Sequence, residues 1–524
     1  MAAPNPQQVA STKSSASRWA ALVAALLGWM FDGAEMGLFS MVGRSAIKDL
    51  MNIPPGGDES IVGFWFGVII AIFLIGAATG GVLFGWLGDR IGRVRAMTLS
   101  VLTYALFTGA CGFAGSAWQI GILRFIASLG MGGEWSLGVA LVMEVWPNKS
   151  RALMAGLIGA SANLGYILVG VLGMGLNSTL SMIKSALLGI NLPPGFVESM
   201  TAHQGWRILM ILGALPAILT FLIRIFVPES EKWEHEQGKG TTSHWETRDL
   251  VGVLIGSAGP LLMIVVWASD RVPWWGRLIV SFAGLAIAIL GYLYPVKQYL
   301  KRLQATSGIS DGNQTLKRML LGASLSGVAL MGTWGSVQWA SSWAHQLTSN
   351  APEMQAREWT QIASGFGAVV GTILAALMGD VLGRRMSYMI LCFASLFSSW
   401  YFYGRTTEYD MNFLGAVFVL GACTASFYGW LPLYLPELFP ARVRATGQGF
   451  SFNFGRILAA IGALQAGALM KVFDSPFPIH IGGIHVATLE PGYPAACGCL
   501  SMIYLVGVMI IWLAPETHGK DLPE

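Results

Sequence analysis

The sequence predicts an all-α integral membrane protein: two six-helix bundles related by internal duplication plus an inserted two-helix hairpin, about 14 transmembrane helices in all. Composition is the first ground, because 54% of the 524 residues are hydrophobic and 11% charged, too apolar for a soluble chain of this length. The second is a set of fourteen mostly apolar stretches, each near the ~20 residues a helix needs to cross a bilayer. The third is repetition. Gly88-Asp89-Arg90-Ile91-Gly92-Arg93 returns 291 residues later as Gly379-Asp380-Val381-Leu382-Gly383-Arg384, and Glu144-Val145-Trp146-Pro147 returns 293 later as Glu437-Leu438-Phe439-Pro440. Asn163-Leu164-Gly165-Tyr166 returns 290 later as Asn453-Phe454-Gly455-Arg456. In a membrane protein, duplicated halves in one register point to a transporter whose site lies between them.

In chain order, residues 1–17 are polar and rich in Ala, Ser and Pro, without the apolar core of a signal peptide, and read as a disordered cytoplasmic tail. The N-terminal six-helix bundle, 18–228, holds spans at 18–43, 61–88, 96–115, 118–145, 151–175 and 205–227. A cytoplasmic linker, 229–317, carries the transmembrane hairpin at about 250–269 and 276–297. The C-terminal six-helix bundle and a short cytoplasmic tail occupy 318–524, with spans at 318–344, 358–379, 387–404, 411–434, 446–470 and 494–514. The surplus pair falls between the repeats and leaves the parity of both unchanged. The loop 176–204 contains an apolar run, Leu180 to Leu188, that suits a short interfacial helix before Pro193-Pro194, acting as a cap over an entrance or as a plain structural lid. Asn177-Ser178-Thr179 is a glycosylation sequon on the outer side of this topology.

Placing both termini in the cytoplasm puts seventeen Lys and Arg residues in inner loops and seven outside, as the positive-inside rule requires of a multi-pass plasma (inner) membrane protein. The net charge of +4 is spread over short loops and gives no nucleic-acid surface. Five cysteines lie mostly in apolar runs without metal-ligand spacing and read as buried small hydrophobes. No metal or cofactor is expected.

Gly85-Trp86-Leu87-Gly88-Asp89-Arg90-Ile91-Gly92-Arg93 resembles the signature loop between the second and third helices of the major facilitator superfamily, and 379–384 resembles its weaker twin. The first copy departs at Val94, where a basic residue is usual, and the second lacks the basic residue after Asp380. Physically, the glycines allow helix ends to pack closely, Asp89 can cap a neighbouring helix, and the arginines can hold cytoplasmic helix ends. The expected gating set is Gly85, Asp89, Arg90, Gly92, Arg93, Glu144 and Arg151, with Asp380, Arg384, Glu437 and Arg444 in the second half. Pro228-Glu229-Ser230 and Pro515-Glu516-Thr517-His518-Gly519-Lys520 look like the sugar-porter branch. Arg124 with Gly130-Met131-Gly132-Gly133-Glu134-Trp135, and Trp29-Met30-Phe31-Asp32-Gly33, are similar to the carboxylate and sialate proton symporters. These lie within spans, closer to a transport site.

An ionisable side chain at the bilayer centre costs ~2.5 to 3.5 kcal/mol even on lenient scales, so each needs a partner, a cavity or a task. Asp32, Glu35, Arg124, Glu134 and Arg456 qualify. Asp32 and Glu35 share a helix face ~20 to 25 Å from the cytoplasmic start of their span, and Arg124 sits at similar depth. An Asp32 to Arg124 pair is allowed, either as a proton switch, the coupling that the resemblance implies, or as a permanent brace. Glu134 is the proton carrier, a relay, or a protonated core acid. Arg456 stands where the first half has the neutral Tyr166, and either a substrate carboxylate or a first-half acid such as Glu134 can neutralise it. Asn453, Gln338, Trp339, Tyr166, Asn163 and Tyr428 complete the candidate substrate-binding set, although aromatic residues near helix ends also mark the interface belt.

The reading is a proton-coupled symporter of a small organic anion (a mono- or dicarboxylate, sialic-acid-like or aromatic acid), working as a monomer by alternating access. Asp32, Glu35, Arg124 and Glu134 handle the proton, and Arg456 with Gln338 holds the substrate. The alternative is a sugar or polyol proton symporter. An enzyme is not expected: the seven histidines are scattered, and no HExxH, GxSxG or phosphate-binding loop occurs. Cytoplasmic segments of about 20 residues are too short for a sensor's output domain.

Overall fold

The computed structural model describes residues 15–54, 59–269, 271–307, 312–351, 354–461, 464, 473, 475–481 and 484–523. The expected tail lies largely outside these residues, as does the end of the expected span 446–470. The first half comprises α1 (Ser15–Leu50), α2 (Glu59–Ile91), α3 (Arg93–Ala110), α4 (Ala117–Val145), α5 (Arg151–Met174), α6 (Leu176–Gly189), α7 (Pro194–Leu212) and α8 (Ala217–Phe226). A short helix, α9 (Glu231–Gly238), leads to the long pair α10 (Leu250–Trp267) and α11 (Trp274–Ser307). The second half contains α12 (Gly312–Gly335), α13 (Val337–Leu347), α14 (Ala356–Leu382), α15 (Arg384–Arg405), α16 (Met411–Ala425), α17 (Phe427–Tyr434) and α18 (Arg444–Asn453). It closes with strands β1 (Phe477–Ile481) and β2 (Ile484–Leu489), then α19 (Tyr493–Leu500) and α20 (Ile503–Ile510).

Eleven described helices are long and apolar enough to cross a membrane, against fourteen expected. The other three differ for local reasons. Span 205–227 is divided: backbone with positive φ at His203, Gln204 and Gly205 breaks α7, and a turn through Gly213–Pro216 separates it from α8. Span 387–404 is one helix, α15, whose serines and tyrosines lower its hydropathy. Span 446–470 begins as the polar α18 and then leaves the described residues. The antiparallel pair β1 and β2 is absent from the sequence reading, and the apolar run at Leu180–Leu188 falls inside α6.

α10 and α11 pack closely, since a Cβ at Gly256 would meet the Tyr292 ring at 2.6 Å. Tyr292 in turn shares a hydrogen bond of 2.8 Å with Thr79 of α2, while Leu261 and Ile264 join a cluster with Ile75 of α2 and Ala459 of the second half. The opposite faces carry exposed Leu254, Phe282 and Leu290, a composition suited to lipid. Tyr292→Phe removes the polar tie and leaves Thr79 bonded to the Ile75 carbonyl. We expect it to lower stability by about 1 kcal/mol in detergent-solubilised unfolding measurements; no loss would show that apolar packing alone holds the pair on α2.

Candidate functional site

A cavity of about 190 Å³ lies between the halves. The first half walls it with continuous helices, through Trp29 and Asp32 of α1, Trp135 of α4, and Asn163 and Tyr166 of α5. The second half meets it where helices are interrupted: at Ser336 between α12 and α13, at Ser426 between α16 and α17, and at Phe454–Gly455 after α18. Gln338, Tyr428 and Arg456 follow these three breaks and line the cavity. Discontinuous helices at the repeat interface are where membrane transporters place substrate groups.

Arg456 is 8% exposed, its guanidinium 5.6 Å from the Phe452 ring centre. Its Nη1 has no hydrogen-bond partner among the described residues. Asp32 lies within electrostatic range of Arg456 and hydrogen-bonds Glu134, which is buried against Gly28. Asp32 Oδ1 has no partner. A nearly parallel aromatic column underlies the acid: Trp29 stacks on Trp135 at 5.8 Å, and Trp135 on Phe452 of the second half at 3.7 Å.

Of the expected substrate residues, Arg456, Gln338, Tyr166, Asn163 and Tyr428 line this cavity, and Asn453 and Trp339 do not. Asn453 is fully buried and donates to the Gly132 carbonyl of α4 at 3.0 Å, a strut between halves. Trp339 lies 5.9 Å from Tyr493, ring to ring. The pair expected between Asp32 and Arg124 is not formed: Arg124 bonds Glu35, which also accepts from Thr108 at 3.2 Å. The Phe39 and Phe73 rings hold the Arg124 guanidinium at 4.4 and 4.3 Å, and neither Glu35, Arg124 nor Glu134 lines the cavity. Trp29, Trp135 and Phe452 were missed as wall residues, although the first two sit inside quoted motifs.

At the end bearing Gly88–Arg93 the halves are tied by a buried polar network. Asp89 accepts from the backbone N–H groups of Ala445 and Thr446 at 3.2 and 2.9 Å, and from the Thr446 hydroxyl at 2.6 Å. It thus caps α18 of the other half, satisfying N–H groups that a helix start leaves open. Arg93 bridges Asp89 at 2.7 Å, Glu144 at 3.2 Å and the Ala441 carbonyl at 2.6 Å. Arg444 binds Glu144 at 2.6 Å. Gly85 is required here, because a Cβ would sit 2.7 Å from the Ala445 carbonyl oxygen. Arg90 instead bonds Thr247 at 2.6 Å, and Arg151 donates to the Met143 carbonyl at 3.1 Å.

The second half repeats part of this wiring. Arg384 grips Glu437 through two nitrogens at 2.9 and 2.7 Å, as Arg93 meets Glu144. Ser230 donates to Glu144, and Thr517 to Glu437, each at 2.5 Å. Gly92 and Gly383 turn the chain at φ 110° and 83°, and Glu229 and Glu516 then accept from the N–H groups of Arg93 and Arg384 at 2.8 and 3.0 Å. Asp380 departs from the pattern: its side chain is 45% exposed, approaches Arg384 only at 3.9 Å and, among the described residues, caps no helix of the first half. At the opposite end, Arg357 donates to the Ser40 carbonyl and Gln361 to the Tyr166 carbonyl, each at 2.8 Å, so both ends are bridged.

Asp89→Asn replaces one acceptor oxygen by a donor facing N–H groups. We expect substrate flux to fall at least ~10-fold, with faster labelling of a cysteine placed at Thr446, since a charge-assisted bond contributes about 1.5 to 3 kcal/mol. Unchanged flux and labelling would remove Asp89 from the gate. Burial opposes the Glu516 charge, yet its four backbone N–H donors prevail and hold the carboxyl below its usual range. That contribution is full above the ordinary value near 4.5 and is lost as pH falls through the lower folded value. Glu516→Gln is therefore expected to melt earlier than the native protein at pH 7, with the gap closing in acid; a gap independent of pH would contradict this.

Residues 20–249 match the sequence family described as Sugar (and other) transporter. The chain is 26% identical over 509 residues to the niacin transporter NiaP of Acinetobacter baylyi, covering 95% of this chain and 93% of that one. It is 26% identical over 452 residues to the cis,cis-muconate transport protein of the same organism, covering 86% and 87%. Its fold matches that of the proton:xylose symporter XylE with a TM-score of 0.64 at 17% identity, covering 97% of this chain and 98% of that one. With its duplicated halves, central cavity and signature loop, the chain has the fold of the major facilitator superfamily, and the family and relatives it matches are membrane transporters, not enzymes.

Proposed function

We propose that the protein is a proton-coupled symporter of a small organic anion, with a conjugated or aromatic carboxylic acid as the substrate class. The observation that carries this is the buried Arg456, which lines the cavity and whose Nη1 has no hydrogen-bond partner among the described residues. An unneutralised cation there suits a carboxylate, which guanidinium binds with paired hydrogen bonds. A neutral sugar would leave that charge uncompensated. The aromatic wall formed by Trp135, Phe452 and Tyr428 suits an unsaturated body. Niacin and cis,cis-muconate, named for two relatives, are both conjugated carboxylates.

Asp32 supplies the coupling. Two carboxyls in hydrogen-bond contact, as Asp32 and Glu134 are, hold a proton between them. With Asp32 neutral, Arg456 is available to the incoming anion. When the proton leaves on the other side, the Asp32 carboxylate competes for Arg456 and helps expel the substrate. Glu35 and Arg124, paired outside the cavity, act through α1 and not on the substrate. The chain works as a monomer in the plasma membrane with both termini cytoplasmic.

Uptake into proteoliposomes under an imposed proton gradient tests this, with nicotinate, benzoate, muconate, lactate and xylose as candidate substrates. Arg456→Ala should lower anion uptake at least ~100-fold, the equivalent of about 3 kcal/mol. Uptake of the true substrate unchanged in that variant would end the anion-anchor role and favour the sugar alternative. Asp32→Asn should abolish gradient-driven accumulation while sparing exchange of labelled for unlabelled substrate. Accumulation that still follows the pH gradient would exclude Asp32 as the coupling group.

A further inference from the structure

A second concavity, of about 580 Å³, lies on the second half at the end that carries Gly379–Arg384, between the start of α12 and the chain after α20. Three cations line it: Lys317, Arg318 and Arg385. No carboxylate pairs with any of them among the described residues. Glu437 and Glu516, the acids of that end, are taken up by Arg384, Thr517 and backbone N–H groups. Two of the cations are fixed in place. Arg318 donates through Nη1 to the Leu438 carbonyl at 3.0 Å, and Arg385 through Nε to the Ala514 carbonyl at 2.6 Å. Each guanidinium keeps further N–H donors for a ligand. Gln314 and Ser324 add polar groups, and the rest of the wall is apolar, with Leu320 and Leu513 both exposed.

The duplication makes the feature specific to this half. Arg385 stands 291 residues after Val94, which is 4% exposed and packed in the first-half core. Where one repeat places a core valine, the other presents a cation to a groove. Clustered cations above apolar walls at a helix end fit an anionic headgroup with acyl chains below it. Free phosphate would use the charges and leave Leu320 and Leu513 without a role.

We propose that this groove binds an anionic phospholipid, its phosphate held by Lys317, Arg318 and Arg385 and its chains lying along α12 and α20. The site is separate from the cavity at Arg456, and its occupancy does not depend on which substrate is carried. The test reconstitutes the full chain in vesicles of phosphatidylcholine with and without phosphatidylglycerol, extracts it, and counts retained lipid by native mass spectrometry. Wild type should retain phosphatidylglycerol in preference to phosphatidylcholine, and Lys317→Gln and Arg385→Val should each weaken that retention about fivefold. Valine already occupies the matching first-half position. Should Arg385→Val fail to fold, the exposed Lys317 carries the test. Equal retention of the two lipids, or no change in either variant, overturns the proposal. Displacement of the lipid by inorganic phosphate at equal concentration also overturns it, because the acyl chains would then contribute nothing.

Discussion

The closed end of this transporter depends on one carboxylate placed at the start of a helix that belongs to the other half. Asp89 ends α2, and the helix it caps is α18. This cross-half cap explains why neighbouring residues take the forms they do. Gly85 must lack a side chain for α2 to approach Ala445 so closely. Arg93 must be fully buried to balance Asp89 and Glu144 while reaching the Ala441 carbonyl. Arg444, held by Glu144, fixes the first residue of the capped helix. Removing one member strips its buried neighbours of part of their pairing, which costs more than the bond itself contributed. The members of the network therefore depend on one another.

The duplication matters most where it fails. The arginine–glutamate pairs and the glutamates that cap α3 and α15 recur in both halves and hold each half together. Asp89 bridges the halves whereas Asp380 is exposed. One repeat has Tyr166 and the other Arg456, and the first half contributes one acid, Asp32, to the cavity where the second contributes a cation. Two identical halves would face like with like. An alternating-access cycle that couples two charges needs them unlike, and the departures from symmetry supply that difference.

Much of the fold and the helix cap at Asp89 were legible in the sequence because both rest on short motifs whose geometry is local. The capping role of Asp89 followed from its residue type, and Arg456 was exposed as unusual by the repeat register. Two of the misassignments share one cause. Asn453 and Arg456 both stand in the expected substrate-binding set, yet the helix stops at Asn453 and resumes after Phe454–Gly455. Trp339 follows the break at Ser336 in the same way. Spacing holds only while the helix is unbroken, and no Pro marks either break. The exchange of Asp32 for Glu35 as the partner of Arg124 has another origin. Residues three apart on one helix differ in depth by ~4.5 Å, less than sequence-based span boundaries resolve.

The break before Arg456 also bears on its proposed use. A continuous helix would satisfy every backbone group internally and present its side chains in fixed rows. Interrupting α12, α16 and α18 places Gln338, Tyr428 and Arg456 just after three breaks, and all three line the cavity beside residues of the unbroken α14. The first half does the reverse: α1, α4 and α5 run through unbroken, so Asp32 and the Trp29–Trp135 stack keep their depth. In the proposed cycle a rigid acid thus faces a cation carried on jointed helices. Only the jointed side needs to adjust when the partner of Arg456 changes from substrate carboxylate to Asp32. In that proposed cycle one guanidinium serves both anions in turn, so proton and substrate are coupled by competition for a single charge, with no separate signal between two distant sites.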